Sequence, residues 1–463
     1  MFPNFDQDGL VYLSRYFNKN FVSLTPIREK QDGKLVNKLR REALNRLDGG
    51  IKLKDQKMFY IGSVDFMVTN INGKKEFVVL ETNGGSGRGL LSLTKGQTEL
   101  CFNAYKHAID QGETIDEKKV VVIGTVPNDM LFQEKIILVE YLKDRFQADG
   151  YTVGVYNSFS FEPDNDDIDE DIIIILSNYN NLLENFSFRN DHVLFKNVEV
   201  NVIIGDGVAR RFPIIAAHLK YDWERVKTTI VNPIYQVSDD KANTYLAVNW
   251  AKEKLDKYRV QQLAFSKSKD PYELELTLEK IIQEGQKNYI LKPLGGSGGA
   301  GIQPISPSFS VDRAGDIIEK SIFGFYKKFD ARRNPFPYTI QEMADFCLID
   351  WNNSKRTFDL RIYLVQKDGI IIPVGGEGRI AKYPYTGTLK KEEFVVNLSG
   401  YGGVDINRAA PFSKEGLSTL NLDEADLVDM FCASCEVFNS IITNYKDIME
   451  FSSWRDIKIL DNV

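Results

Sequence analysis

Tyr289-Ile-Leu-Lys292-Pro-Leu-Gly295-Gly296-Ser297-Gly298-Gly299-Ala300-Gly301-Ile302 decides how the rest of the chain is read. An apolar run ends in Lys292, five glycines fall within seven residues, and a second apolar run begins at Ile302. This order predicts a strand, a glycine loop and a second strand. Without a Cβ, backbone N–H groups can turn toward an anion, and a lysine at the loop base adds a point charge for phosphate. The stretch therefore reads as a cover over nucleotide phosphates; a plain glycine turn between two strands is the alternative. It is not a P-loop, in which Lys and Ser or Thr follow the glycines at a helix start.

Composition narrows the setting. The chain has 463 residues, enough for two or three domains, with 43% apolar residues and a net charge of −7. That acidity argues against a general nucleic-acid binder, which needs a basic face. No apolar run approaches a membrane span, and the first residues lack the order of a signal peptide, so a cytoplasmic location is expected. Four cysteines do not make a disulfide framework. Cys432 and Cys435 fall inside an apolar helical pattern and read as buried helix residues. His107, His192 and His218 show no metal spacing.

Before the glycine loop, residues 34–48 predict a helix. Met58–Val68 and Phe77–Asn83 then predict a hairpin around Asn70-Ile-Asn-Gly73. Asp65 lies on its first strand. Glu81 and Asn83, two apart, share one face of its second. Three oxygen ligands on adjacent strands suit Mg²⁺; a surface hairpin with charged ends is the alternative. Gly84-Gly-Ser-Gly-Arg88-Gly89 reads either as an anion-facing loop with Arg88 on a substrate carboxylate or as a solvated loop. A helix is predicted at 93–112. Strands at 118–123, 151–156, 171–176 and 198–204, with a helix at 131–146, predict a small doubly wound α/β domain. Gly205 to Arg211 places Arg210 after a strand as a candidate substrate contact.

After the loop, a helix at 317–328 precedes Pro337-Tyr-Thr-Ile-Gln341-Glu342-Met343. Phe358–Val365 predicts a strand with Asp359 and Arg361 on one face, and 370–374 its partner. Gly376-Glu-Gly-Arg379-Ile reads as a third strand and Phe394–Asn397 as a fourth. Arg361, Arg379 and Asn397 converging on a phosphate would stabilise charge on a transferring group; structural salt bridges would also account for the arginines. A last helix is predicted at 423–445.

Together these motifs resemble the ATP-grasp superfamily. The glycine loop and the order Asp-x-Arg, Arg-Ile, Asn-Leu, Gly-Gly are similar to the bacterial glutathione synthetase form. Val64-Asp65-Phe-Met and Val79-Leu-Glu81-Thr-Asn83-Gly resemble the magnesium hairpin of these ligases, which usually lies at the C-terminal end. Here it precedes the glycine loop, as in eukaryotic glutathione synthetases, so the resemblance implies a circularly permuted α/β ATP-grasp fold. Its implied division is 1–115 with the hairpin, 116–235 as an inserted doubly wound pre-ATP-grasp domain for substrate, 236–345 as the ATP-binding lobe, and 346–463 as the rest of the catalytic core.

The resemblance further implies ATP and Mg²⁺, with two ions and Mn²⁺ as a substitute. Asp65, Glu81 and Asn83 would hold metal. Lys241, Lys292 and Gly295, Gly296, Ser297, Gly298 and Gly299 would hold phosphates, and Gln341, Glu342 and Met343 the adenine, with Asp345 or Asp350 on the ribose. Arg361, Arg379 and Asn397 would serve catalysis, and Arg88 and Arg210 substrate. The implied activity joins a small-molecule carboxylate to an amine through an acyl phosphate; a small-molecule kinase or a non-catalytic ATP-binding module is the alternative. No nucleic-acid or membrane partner is expected, and a homodimer is compatible with the class. In relatives an arginine often precedes the first metal carboxylate. Ser63-Val64 stands there in this chain, which leaves the acid and amine unnamed.

Overall fold

A computed structural model describes residues 22–84, 88–113, 118–126, 129–163, 169–205, 225–232, 234, 240–296, 298–329, 334–396, 398–400 and 403–452. Arg210, Ser297 and Asn397 lie outside them.

Apolar alternation and two Asn/Asp-Gly turns shape the main sheet. Strand β1 (Ile61–Ile71) turns at Asn72-Gly73 into β2 (Lys74–Asn83). Both turn residues have positive φ, the geometry that matches strand twist in a two-residue hairpin. The parallel sheet follows with β3 (Lys119–Thr125), β4 (Val153–Asn157), β5 (Ile172–Asn178), β6 (Val202–Gly205) and β7 (Thr229–Val231). Next come β8 (Val260–Gln261), β9 (Phe265–Ser268), β10 (Tyr289–Pro293), β11 (Gln303–Ile305) and β12 (Tyr338–Glu342). Finally β13 (Phe358–Lys367) turns at Asp368-Gly369, again both at positive φ, into β14 (Ile370–Ile380), and β15 spans Ala409–Pro411.

The main sheet runs Ile51–Lys52, β14, β13, β1, β2, β8, with β15 alongside β14. The early hairpin thus sits in one sheet with the late one: Arg361 lies opposite Asp65, 296 residues away. One face of this sheet packs on α1 (Gly33–Arg46) and, later in the chain, on Glu424–Thr443. The late helix is fixed at its start by a capping box between Asp423 and Asp426. The helices bury Leu39, Phe431 and Phe438 against Leu360 and Ile362. The opposite face meets α2 (Lys95–Gln111) and the parallel sheet, of order β7-β6-β3-β5-β4, at one end. At the other stands the antiparallel sheet β9-β12-β10-β11, which carries the glycine loop.

A β-bulge sits in the early hairpin. Asp65 pairs with Glu81 but Phe66 with Val79, so Leu80 is one residue too many. Val78, Leu80, Glu81 and Asn83 therefore share a face: the first two join an apolar cluster with Met67, Leu263 and Ala344, and the last three line the cavity described below.

Three expectations change. Residues 370–380 form one strand, not two, with a register shift opposite Tyr363 and Leu364. The run 198–204 divides into Val198–Val200 and β6, which belong to different sheets. Asn201 makes the break: its side chain accepts from the Val120 N–H at 2.6 Å and donates to the Glu113 carbonyl at 2.5 Å. Phe394 ends a short helix, Lys391–Phe394, rather than beginning a strand. All four cysteines are free, and Cys432 and Cys435 are buried in their helix as read. Among the described residues no helix is long and apolar enough to cross a membrane.

Candidate active site

A cavity of about 570 Å³ lies between the main sheet and the glycine loop. It gathers Asp65, Glu81 and Asn83 of the hairpin, Lys241 and Lys292, Gly296, Gly298 and Gly299 of the loop, Arg88, and Arg361 and Arg379. Gly295, at φ +62°, belongs to the same loop but not to the cavity wall. The glycine loop turns at φ +60° and +76° for Gly298 and Gly299, and a Cβ on Gly299 would strike Val395.

Register builds the wall. Glu81 pairs with Asp65, Asp65 with Arg361, and Arg361 with Glu377, which makes one charged row across β2, β1, β13 and β14. Beside it, Asp359 pairs with Arg379. Arg361 grips Asp65 through two bonds of 2.8 and 2.7 Å. Arg379 donates to Asp65 at 2.8 Å and to both Asp359 oxygens at 2.7 and 2.8 Å. Burial alone would raise the Asp65 pKa, but the two guanidiniums outweigh it and hold the carboxyl well below its usual range. Asp359 has one guanidinium partner; burial, with the Asp65 charge, lifts it to about 7 against Arg379. The salt-bridge reading of these arginines is thus realised inside the cavity wall.

At the opposite end helix α3 (Lys241–Trp250) begins with Asp240 capping the Ala242 N–H. Lys241 and Tyr245, four apart, face the same way. Lys241 reaches Glu81 at 3.0 Å and the Gly296 carbonyl at 3.3 Å, which ties the hairpin to the glycine loop. Lys292 is buried and donates to neutral oxygens, Tyr245 Oη and Gln341 Oε1, both at 2.7 Å. Burial, reinforced by Lys241, lowers its pKa to about 7. Tyr245 passes its own proton to the Leu80 carbonyl at 2.7 Å, an oxygen at the bulge.

Arg88 lines the cavity with its Nη2 on Asp129 at 2.5 Å. Its carbonyl accepts from Tyr363 Oη, and the next N–H groups, of Gly89 and Leu91, are held by the buried Glu134. The linker residues lie apart from the other candidates. Gln341 faces Lys292. The Glu342 side chain pairs with Lys287, and the Glu342 and Met343 N–H groups are committed to Ala264 and Asn288 carbonyls at 2.8 Å. None of the three lines the cavity. Asp350 pairs with Lys355. Near the linker, Met67, Leu80 and Ile290 supply apolar cavity wall.

As a metal site the hairpin fits only in part. Both Asp65 oxygens accept from arginine. Glu81 and Asn83 remain on the cavity, and Asn83 Nδ2 is buried with no hydrogen-bond partner, so this amide lacks a fixing contact. Two protein oxygens with phosphates and water meet the need of Mg²⁺. Among the described residues no group of three His, Cys, Asp or Glu is placed to hold a metal. Sequence reasoning missed Tyr245, Asp129 and Glu377. The four-residue spacing to Lys241 could have flagged the first. The strand read at 376–380 already put Glu377 on the face of Arg379, two residues on.

No protein-family model matches the chain, and no curated protein matches its sequence. Solved structures do. A RimK domain protein ATP-grasp from Sphaerobacter thermophilus is 10% identical over 67% of this chain and 99% of its own, with a TM-score of 0.28. D-alanyl-alanine synthetase A from Vibrio cholerae is 10% identical over 68% and 82%, with a TM-score of 0.31. D-cycloserine synthetase DcsG is 9% identical over 68% and 98%, with a TM-score of 0.27. At these scores the functional reading rests on the residues themselves.

Proposed function

We propose that this chain is an ATP-dependent carboxylate–amine ligase of ATP-grasp type. One observation carries the reading: a single cavity wall runs from two lysines and a glycine loop, through two arginines, to a buried carboxylate beside Arg88. Anions are received at one end, negative charge is neutralised in the middle, and a further polar group waits at the other end.

In this reading Lys241, Lys292 and the loop N–H groups hold the phosphates of ATP, and Met67, Leu80 and Ile290 pack against its base. Magnesium, when bound, would sit on Glu81 and Asn83 and neutralise phosphate charge. Arg361 and Arg379 stabilise the transferring phosphoryl group, where positioning and charge matter more than covalent help from the protein. A substrate carboxylate oxygen attacks the terminal phosphorus and ADP leaves. An amine then attacks the carbonyl carbon, the C–N bond forms, and phosphate departs with the C–O bonding pair. The early hairpin completing a sheet with β13 and β14 is the arrangement a circular permutation would produce. The parallel sheet is then the inserted substrate domain.

The test is ADP release with Mg-ATP across a panel of amino acids and dipeptides, with hydroxylamine present. Hydroxamate formed in step with ADP supports the ligase. A stable phosphate ester on an alcohol overturns it in favour of a kinase.

A further inference from the structure

The wall contains one carboxylate that the scheme above leaves unused. Glu377 is 5% exposed, lines the cavity, and has an Oε2 that is buried with no hydrogen-bond partner. Its carboxyl is hydrogen-bonded by Ser92, whereas the other acids on the wall meet cations: Asp65 and Asp359 arginines, Glu81 Lys241 and Asp129 Arg88. A buried carboxylate oxygen without a donor is costly, and on a cavity wall a ligand, a water or an ion can supply the missing group.

Its place in the row says which ligand. Three strand spacings separate Glu81 from Glu377, about 14 Å. Glu81 marks the lysine end, so Glu377 lies at the end away from the phosphate-binding groups, on the far side of Arg361. Gly89 closes over it. A Cβ at Gly89 would strike Tyr363 Oη at 2.7 Å and come into ordinary contact with Glu377 Oε1 at 3.7 Å, so glycine is required there by the tyrosine. Gly89 also has φ +90°, and its N–H is pinned by Glu134 at 3.1 Å, so the backbone beside Glu377 is held in place.

We infer that Glu377 is the contact for the acceptor amine: Oε2 holds the incoming ammonium beside the arginine pair and takes one proton from it, which frees the nitrogen lone pair that attacks the carbonyl carbon. This rests on the ligase reading. The step balances: one ammonium proton passes to the carboxylate, the freed amine forms the C–N bond, the C–O bond to phosphate breaks with its electron pair going to phosphate, and the second N–H proton leaves with that phosphate. With Arg88 at the same end, the acceptor suited to this site is an amine that bears its own carboxylate.

The experiment compares wild type with Glu377→Gln and Glu377→Asp in two assays. One uses hydroxylamine, uncharged at neutral pH, with the acid that scores in the wild-type screen. The other uses amino-acid acceptors with the same acid. Glu377→Gln is expected to keep hydroxamate formation within about threefold and to lose about a hundredfold in ligation to amino acids. Glu377→Asp should retain turnover with a raised KM for the acceptor and an unchanged KM for ATP. Loss of hydroxamate equal to loss of ligation would overturn the inference while leaving the ligase reading intact, because Glu377 would then serve phosphoryl transfer or folding. Unimpaired ligation in Glu377→Gln would also overturn it. A wild type that forms no hydroxamate with any acid would end both readings.

Discussion

Two parts of the cavity wall bury positive charge in opposite ways. On the main sheet Arg361 and Arg379 are matched by Asp65 and Asp359, so the charges are compensated before any ligand arrives. On the small sheet Lys292 is buried against a phenol and an amide. Burial pushes both kinds of cation toward neutrality. Carboxylates reverse the push for the arginines, whose pKa values rise, whereas Lys292 falls to about 7. One region is held together by charge, and the other holds a charge that depends on what binds.

The sharpest way to break this contrast is to remove a carboxylate. Asp65→Ala would leave two buried guanidiniums short of partners and should cost roughly 3–5 kcal/mol of stability, read by urea denaturation. A loss under about 1 kcal/mol would mean that the arginines are not compensated by Asp65. Lys292→Met should do the reverse. Stability at neutral pH should rise by about 2–4 kcal/mol, since methionine fills a similar volume without the charge whose burial lowers the Lys292 pKa. Affinity for ATP should fall by roughly 30- to 150-fold, the worth of a charge-assisted hydrogen bond of about 2–3 kcal/mol. Calorimetric titration reads it, and an unchanged Kd would remove Lys292 from the phosphate site.

A pH series sharpens the comparison further. An anion beside Lys292 raises its pKa, so binding takes up a proton wherever the free lysine is neutral. Uptake should be near zero well below pH 7, and approach about one proton well above it. Affinity then declines with rising pH by at most about tenfold per unit. Titration in buffers of different ionisation enthalpy measures the uptake, which Lys292→Met should abolish. Stability has the opposite slope: the unfolded lysine, at 10.5, binds protons that the folded one does not, so the penalty is complete below about 7 and fades as pH rises toward 10.5. The smallest effect belongs to Glu342→Gln. Its partner Lys287 is well exposed, so the change should cost under about 0.5 kcal/mol and shift the Kd for ATP less than twofold.

Much of the site was readable because strand alternation is a strict rule. Asp359 with Arg361, and Glu81 with Asn83, face the cavity as their spacing requires. Asn72-Gly73 and Asp368-Gly369 announced their turns. What escaped depended on departures from regularity or on distant partners. Glu377 shared a predicted strand with Arg379, but its burial on the cavity wall opposite Arg361 depends on the register of β14 against β13. Leu80 gives no local sign that it is surplus in its ladder. That Asp65 is held by both arginines is a matter of register between strands far apart in sequence.

The surplus residue at Leu80 has a mechanical consequence. Its carbonyl receives the Tyr245 hydroxyl, and that hydroxyl receives Lys292, so an irregularity in the large sheet is strung to the glycine-loop sheet through one helix. Because strict alternation resumes on both sides of Leu80, deleting it would leave Glu81 and Asn83 on the same face while cutting the string. The two sheets would then be joined here through Lys241, which bonds Glu81 and the Gly296 carbonyl, with the charged row untouched. A single residue would thus separate the coupling of the two sheets from the chemistry of the wall.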